Sequence, residues 1–250
     1  LLVKLIVIWE IIIVDDGSID NTKKIIDKFI NNNTPIKYYY QKNKGFAQAR
    51  NRGIELCKYD WIVIIDHDDI CDRERLKNQL KDIKNHSNCK LFFGDATYFD
   101  KNNQFSKFKN LKLKDNYSPC DLDLSKEKSF NYLIKYGCFI VSSTVTFDKN
   151  VIRSIGNFNT NYKFVPDYDF FLRISKKFDI YCSNKIISKW RMHQNQSTSK
   201  NIMLYHKELN RLLFVLLIFQ NMNIGLKFII VYKLIKNLIK ISILKITNVK

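Results

Sequence analysis

The sequence predicts an α/β protein: a mostly parallel sheet flanked by helices. Three observations carry that reading. Apolar, β-branched runs alternate with helical patterns through the first half of the chain. The runs are continuous, as in Ile11-Ile12-Ile13-Val14, which suits strands covered on both faces. Two of them end in acidic clusters, Asp15-Asp16 and Asp66-His67-Asp68-Asp69, so carboxylates gather at strand ends.

Taken in order, Glu10 to Val14 reads as a strand and Asp20 to Ile30 as a helix. Asp20 can cap that helix, and Ile25, Ile26, Phe29 and Ile30 share one face. Ile36 to Gln41 is a second strand, and Phe46 to Cys57 a helix carrying Ala47, Ala49 and Ile54. Trp61 to Ile65 is a third strand. Asp72 caps the next helix, with Leu76, Leu80 and Ile83 on one side. Lys90 to Phe93 is a further strand. Residues 100–130 are polar and irregular, and read as an insertion over the sheet edge. Phe139 to Phe147 is apolar and β-rich, Val165 to Phe178 an acidic turn leading into a helix, and Tyr181 to Arg191 a strand. From Ile202 the chain turns to apolar helices with interspersed lysines. A boundary near residue 200 therefore separates an α/β domain, 1–200, from basic amphipathic helices, 201–250.

A chain of 250 residues is long enough for one large domain with a real core. Its 46% apolar content excludes disorder, and 7 Gly with 3 Pro exclude collagen-like and linker-type chains. A net charge of +18 favours a polyanionic partner: nucleic acid, an acidic membrane surface or a phosphorylated substrate. The six cysteines form no CxxC pair, which excludes zinc ribbons and thioredoxin-type sites, and they read as reduced thiols. No basic stretch leads into a signal-peptide core. Apolar runs such as Leu212 to Phe219 fall short of the roughly 20 residues a spanning helix needs. The expected location is cytoplasmic, peripheral on the inner face of the cell membrane.

Asp66, Asp68 and Asp69 within four residues repel one another unless a cation neutralises them. Hard divalent cations take such oxygen ligands, often one or two carboxylates together with substrate phosphates. In an open sheet, ligands bind beyond the strand carboxyl ends. The simplest inference is a metal–diphosphate site. A single Asp after a strand would read as a turn former or helix cap; two clusters in succession do not.

At these residues the chain resembles a known family. Val14-Asp15-Asp16-Gly17-Ser18-Ile19-Asp20-Asn21-Thr22 is similar to the VDDGSxDxT signature of family-2 glycosyltransferases of the GT-A fold. The segment Gly45 to Ile54 resembles N-x-G-x-x-x-A-R-N-x-G, and Asp66-His67-Asp68-Asp69 the DxDD form of the DxD metal motif. Pro166-Asp167-Tyr168-Asp169-Phe170-Phe171-Leu172-Arg173 resembles E-D-x-D-x-x-L-R. Arg191-Met192-His193 with Ser197 and Ser199 resembles an R-x-H…S-x-S ending. The motifs stand in family order.

The resemblance implies roles. Asp15 and Asp16 would bind the nucleotide, with Asp16 on the base. Arg50 would approach the donor. Asp66 would lie near the ribose or the outer shell of the metal. Asp68 and Asp69 would meet the diphosphate and a Mn²⁺ or Mg²⁺ ion, with Asp69 in direct contact. Arg191 and His193 would organise the diphosphate and metal side. Asp167 would be the general base, with Asp169 as the alternative base and a plain helix cap as the bland role for Asp167. One base opposite a leaving diphosphate implies inversion. The implied reaction moves a sugar from a nucleotide-diphosphate donor, expected to be a UDP-sugar, to a saccharide or lipid-linked hydroxyl in surface-polysaccharide assembly such as capsule or lipopolysaccharide.

The chain departs from the family at its start. No P-x-Y-N strand precedes Ile11, and Leu1 to Ile8 reads as the tail of a first helix or a replacement strand. Pro166 stands where relatives often carry Glu. The rival reading is an inactive, truncated relative that binds a membrane or a partner. A nucleic-acid partner is not expected: no reader motif is present, and the acidic clusters repel phosphate without a metal. After residue 200 the apolar faces with interspersed Lys read as an element for an anionic membrane surface, or as a helical cap with outward lysines.

Overall fold

The computed structural model describes residues 9–31, 34–99, 104–107, 118–192 and 200–247. The readings placed on Leu1 to Ile8, His193, Ser197 and Ser199 lie outside the described residues.

The order is β1 (Ile11–Asp15), α1 (Thr22–Asp27), β2 (Ile36–Tyr40), α2 (Phe46–Leu56), β3 (Trp61–Val63), β4 (Ile70–Cys71), α3 (Arg75–Asn85), β5 (Leu91–Phe99), β6 (Gln104–Ser106), α4 (Lys128–Tyr136), β7 (Thr146–Asp148), α5 (Ile152–Ile155), α6 (Pro166–Lys177), β8 (Ile180–Arg191), α7 (Ile202–Phe219) and α8 (Ile224–Thr247). A short 3-10 turn, Ser142–Thr144, precedes β7.

Strand directions are more mixed than the sequence suggests. β1 and β2 form a parallel pair, and β5 runs parallel to β8. β7 inserts antiparallel between β3 and β5, and β4 pairs antiparallel with β8. The main sheet therefore runs β3-β7-β5-β8-β4, with β6 folded back on β5. The chain reaches β7 from α4 through the Ser142–Thr144 turn, and β7 runs antiparallel to both of its neighbours. Among the described residues β1 pairs only with β2, and its apolar run is not enclosed: Ile12, Ile13 and Val14 are half-buried and Ile11 is exposed.

The core is one contiguous cluster. Leu91 and Phe93 of β5, Leu133 and Ile134 of α4, Phe147 of β7 and Phe170, Phe171 and Ile174 of α6 sit at its centre, essentially without solvent contact. Leu212, Leu213 and Leu216 of α7 and Ile230 of α8 belong to the same cluster, so the two C-terminal helices pack onto the α/β core.

Helix starts differ by a residue or two from the sequence reading. Asp20 accepts from the Thr22 amide and hydroxyl, one residue before the N-cap position. Asp72 accepts from the Glu74 amide, making a turn ahead of α3 rather than capping it. The expectation of reduced cysteines is corrected at one pair. Cys120 and Cys182 form a disulfide, while Cys57, Cys71, Cys89 and Cys138 are free. Their separation of 62 residues hides the pairing from any local pattern.

Candidate active site

The acidic cluster after β3 is held from beneath by a polar framework. Arg75, wholly buried, donates to the carbonyls of Ile64, Ser143 and Val145 and to Gln79 Oε1. Gln79 in turn donates to the Thr144 carbonyl and accepts from the Thr146 hydroxyl. This network fixes the end of β3 against the Ser142–Thr144 turn. From that turn, Ser143 Oγ accepts from the Asp66 amide at 2.9 Å and also hydrogen-bonds to the Asp69 carboxylate. The adjacent Ser142 hydrogen-bonds to Asp167. One dipeptide thus touches both acidic centres.

Arg50 projects from α2 into the space between them. Its guanidinium lies 5.0 Å from the Phe46 ring and 5.5 Å from the Phe158 ring. It donates to Asp66 at 2.5 Å and to Asp167. Its neighbour Asn51 exchanges two hydrogen bonds with the backbone of Phe158, at 2.9 Å each, which holds that loop against α2. Burial opposes charge on Arg50, but Asp167 and Asp66 outweigh it and hold the guanidinium firmly protonated.

Asp167 lies in the first turn of α6, directly after Pro166 at N1. Burial pushes its carboxyl above the ordinary carboxylate range, and the Asp66 charge adds to this, against the pull of Arg50 and Ser142. Asp169, the alternative base, points elsewhere. It is buried and ion-paired with Arg173 at 2.7 Å, and Arg173 also binds the carbonyls of Ile155, Gly156 and Asn157. Two residues along a helix face nearly opposite ways, which separates the two carboxylates.

Arg191, at the end of β8, is brought to the DxDD cluster. Its amide donates to Asp69 Oδ1 at 3.0 Å and its Nε to the Asp68 carbonyl at 3.0 Å, while its guanidinium stacks 4.6 Å over Phe99. Burial, followed by the charges of Asp66 and Asp68, pushes Asp69 up, although Ser143 and Arg191 pull the other way.

The β1 cluster splits into two tasks. Asp15 is buried, accepting from the Tyr38 hydroxyl at 2.5 Å and the Ser18 amide at 2.8 Å. Asp16 takes Gln41 Nε2 at 2.7 Å and the amides of Lys44 and Gly45 at 2.9 and 2.8 Å. It thereby ties the end of β1 to the loop entering α2. Gly17 permits this approach: its φ is +91°, and a Cβ there would stand 2.8 Å from the Asn43 nitrogen.

Asp66, Asp68, Asp69, Arg50, Arg191 and Asp167 are therefore gathered at one place, while Asp15 and Asp16 organise the neighbouring β1 end. Among the described residues no three His, Cys, Asp or Glu side chains converge as a ready metal cage. The donor set nevertheless fits a hard divalent cation. Asp69 offers carboxylate oxygens crowded by two like charges, and such ions commonly take one or two carboxylates with phosphates completing the shell. The sequence reading missed Ser142, Ser143, Arg75, Gln79 and Asn51. Only the Ala-Arg-Asn run flagged Asn51's neighbourhood; the others carry no local signal.

Comparison with known proteins gives the family. Residues 5–148 match the profile described as Glycosyl transferase family 2. The chain belongs to that family. An uncharacterized glycosyltransferase of Rickettsia typhi is 27% identical over 191 residues, covering 76% of this chain and 57% of its own length. The poly-beta-1,6-N-acetyl-D-glucosamine synthase of Staphylococcus aureus is 32% identical over 103 residues, 41% of this chain and 25% of that protein. Among solved structures, S. aureus TarS 1–349 matches with a TM-score of 0.63 at 16% identity, over 91% of this chain and 61% of that one. TarS is also known in complex with UDP-GlcNAc, with a TM-score of 0.61 at 14% identity over 90% and 62% of the two chains. The mannosyltransferase PcManGT of Pyrobaculum calidifontis, in complex with GDP-Man and Mn²⁺, matches at 0.61 with 12% identity, over 90% and 59%. These likenesses establish the GT-A fold for this family-2 chain. It spans a little over half the length of the Rickettsia relative.

Proposed function

We propose that this family-2 chain transfers a sugar with inversion from a nucleotide-diphosphate donor, a UDP-sugar first among them, to a saccharide or lipid-linked hydroxyl in surface-polysaccharide synthesis. The observation that carries the reading is Arg50, which spans Asp66 of the DxDD cluster and Asp167 on α6. It joins Asp167, the base in this reading, to the acidic cluster that this reading assigns to the diphosphate. The nucleotide-sugars bound in the TarS and PcManGT complexes support the donor class.

In this reading the acceptor hydroxyl loses its proton to Asp167 as its oxygen attacks the anomeric carbon. The bond from that carbon to the donor phosphate breaks on the opposite face, and the diphosphate leaves. The upward push on Asp167 makes it a better base, and Arg50 with Ser142 fixes its direction. Asp68 and Asp69 would hold Mn²⁺ or Mg²⁺, which neutralises the leaving diphosphate when bound. Arg191, held against Asp68 and Asp69, would meet the same phosphates.

The test is titration calorimetry and product analysis on the full chain with Mn²⁺ and a panel of UDP- and GDP-sugars, with and without EDTA. One donor is expected to bind and turn over, and EDTA to abolish turnover. Failure of every donor to bind or react overturns the proposal. Binding without turnover of any donor replaces it with the inactive-relative reading.

A further inference from the structure

The α8 helix carries two apolar stripes on opposite faces, and among the described residues only one of them is buried. Leu226, Ile230 and Ile241 face inward and are buried, against α7 and α4. At 100° per residue Ile224, Phe228, Ile235, Leu238, Ile239 and Ile246 fall within an arc of about 100° on the other side, and each is more than half exposed. Such a continuous apolar surface is rare on a protein that meets only water. At 100° per residue, Lys227 and Lys245 fall along one flank of the exposed stripe and Lys236 and Lys240 along the other. All four are exposed. The last turns of α7 add Phe214, Ile218 and Phe219, exposed just before the chain turns into α8. No Asp or Glu follows Glu208 in the chain.

We propose that this outward face of α8 docks on an anionic lipid surface, with the helix lying in the interface plane. The apolar stripe would enter the acyl boundary, and the flanking lysines would reach the headgroups on either side. Charge decides among occupants. A second copy of the chain would set lysines against lysines along both flanks, with no acidic residue on either helix beyond Glu208 to compensate. Phosphate-bearing lipids present the opposite sign. Spanning is excluded for this helix, since among the described residues none is long and apolar enough to cross a membrane. α8 packs on α4, and α4 on α6, the helix that bears Asp167. Docking would therefore hold the α/β domain at the lipid surface. The inference stands independently of glycosyl transfer.

The test is co-sedimentation of the full chain with vesicles of phosphatidylcholine alone and with phosphatidylglycerol added, alongside light scattering for oligomeric state. Binding is expected with phosphatidylglycerol, falling steeply with salt, and much weaker with phosphatidylcholine alone. Lys236→Gln is expected to weaken it about fivefold, and Ile235→Asp about tenfold or more. Both residues are exposed, so circular dichroism is expected to be unchanged. No binding to phosphatidylglycerol vesicles, equal binding to both vesicle types, or a stable dimer dissolved by Ile235→Asp overturns the proposal.

Discussion

Arg50 donates to Asp167 from 117 residues away in sequence, and with its other nitrogen holds Asp66. Removing either end of this bridge has separable consequences. Asp167→Asn keeps the shape but removes the proposed base, so transfer is expected to fall by about 10²- to 10⁴-fold with donor affinity little changed. Arg50→Ala leaves two carboxylates facing each other. Its cost to unfolding is expected at about 2 kcal/mol, below the range for fully buried pairs because Asp66 is 37% exposed on its side chain. Arg50→Lys should recover little, since one ammonium cannot span both acids. Denaturant melts and donor titration measure the two effects.

Ser142 and Ser143 offer a finer dissection. Ser143→Ala strips the Asp66 amide of its acceptor and Asp69 of a hydrogen bond. A loss of about 1–2 kcal/mol in stability is expected, with Mn²⁺ affinity in the presence of UDP reduced about tenfold. Ser142→Ala touches Asp167 instead, so turnover should fall while Mn²⁺ titration stays unchanged.

These serines mark the border of what the sequence makes legible. The acidic clusters are readable because each is contiguous and follows a strand. Arg50 stands inside a recognisable run, though the bridge it forms is not visible there. Ser143 and Arg75 look like ordinary polar residues, because their partners lie 77 and up to 70 positions away. The same holds for Cys120 and Cys182. On α8, inward and outward stripes are both made of Ile and Leu, so composition alone cannot tell which one the core takes. The direction of β7 is hidden because Phe139 to Phe147 reads as one apolar, β-rich run, whereas the strand itself is only Thr146–Asp148.

Asp15 gives the pH dependence. Burial pushes its carboxyl up, but the Tyr38 hydroxyl and Ser18 outweigh this and hold it below the ordinary range. A folded carboxyl below its unfolded value contributes stability that is fully present above about pH 4 and is lost as pH falls through the folded value. Tyr38, pushed up to about 12 by Asp15, stays protonated throughout. Tyr38→Phe is therefore expected to cost about 1–3 kcal/mol at neutral pH. The difference from the parent should shrink below about pH 4 as Asp15 takes up a proton. Urea melts across that range measure it.

Glu208 of α7 reaches the entry to α6. Its carboxylate accepts from the Lys163 amide at 2.9 Å and from Phe164 at 2.6 Å, two residues before Pro166. Glu208→Ala is expected to loosen that entry and lower kcat several-fold through Asp167, with donor affinity retained. Glu208→Gln should restore part of the loss, since an amide oxygen can still accept.

The Cys120–Cys182 bond encloses a loop that contains α4, the Ser142–Ser143 turn and Asp167. Closing 62 residues restricts the unfolded chain by about 4 kcal/mol on a chain-entropy basis. The covalent state of two sulfurs remote from the acidic cluster thus bears on how firmly the serine turn and α6 are held. It also makes the molecule a record of where it matured. Chain trapped from cells with an alkylating reagent before reduction carries four labels if it matured under oxidising conditions, and six if it did not.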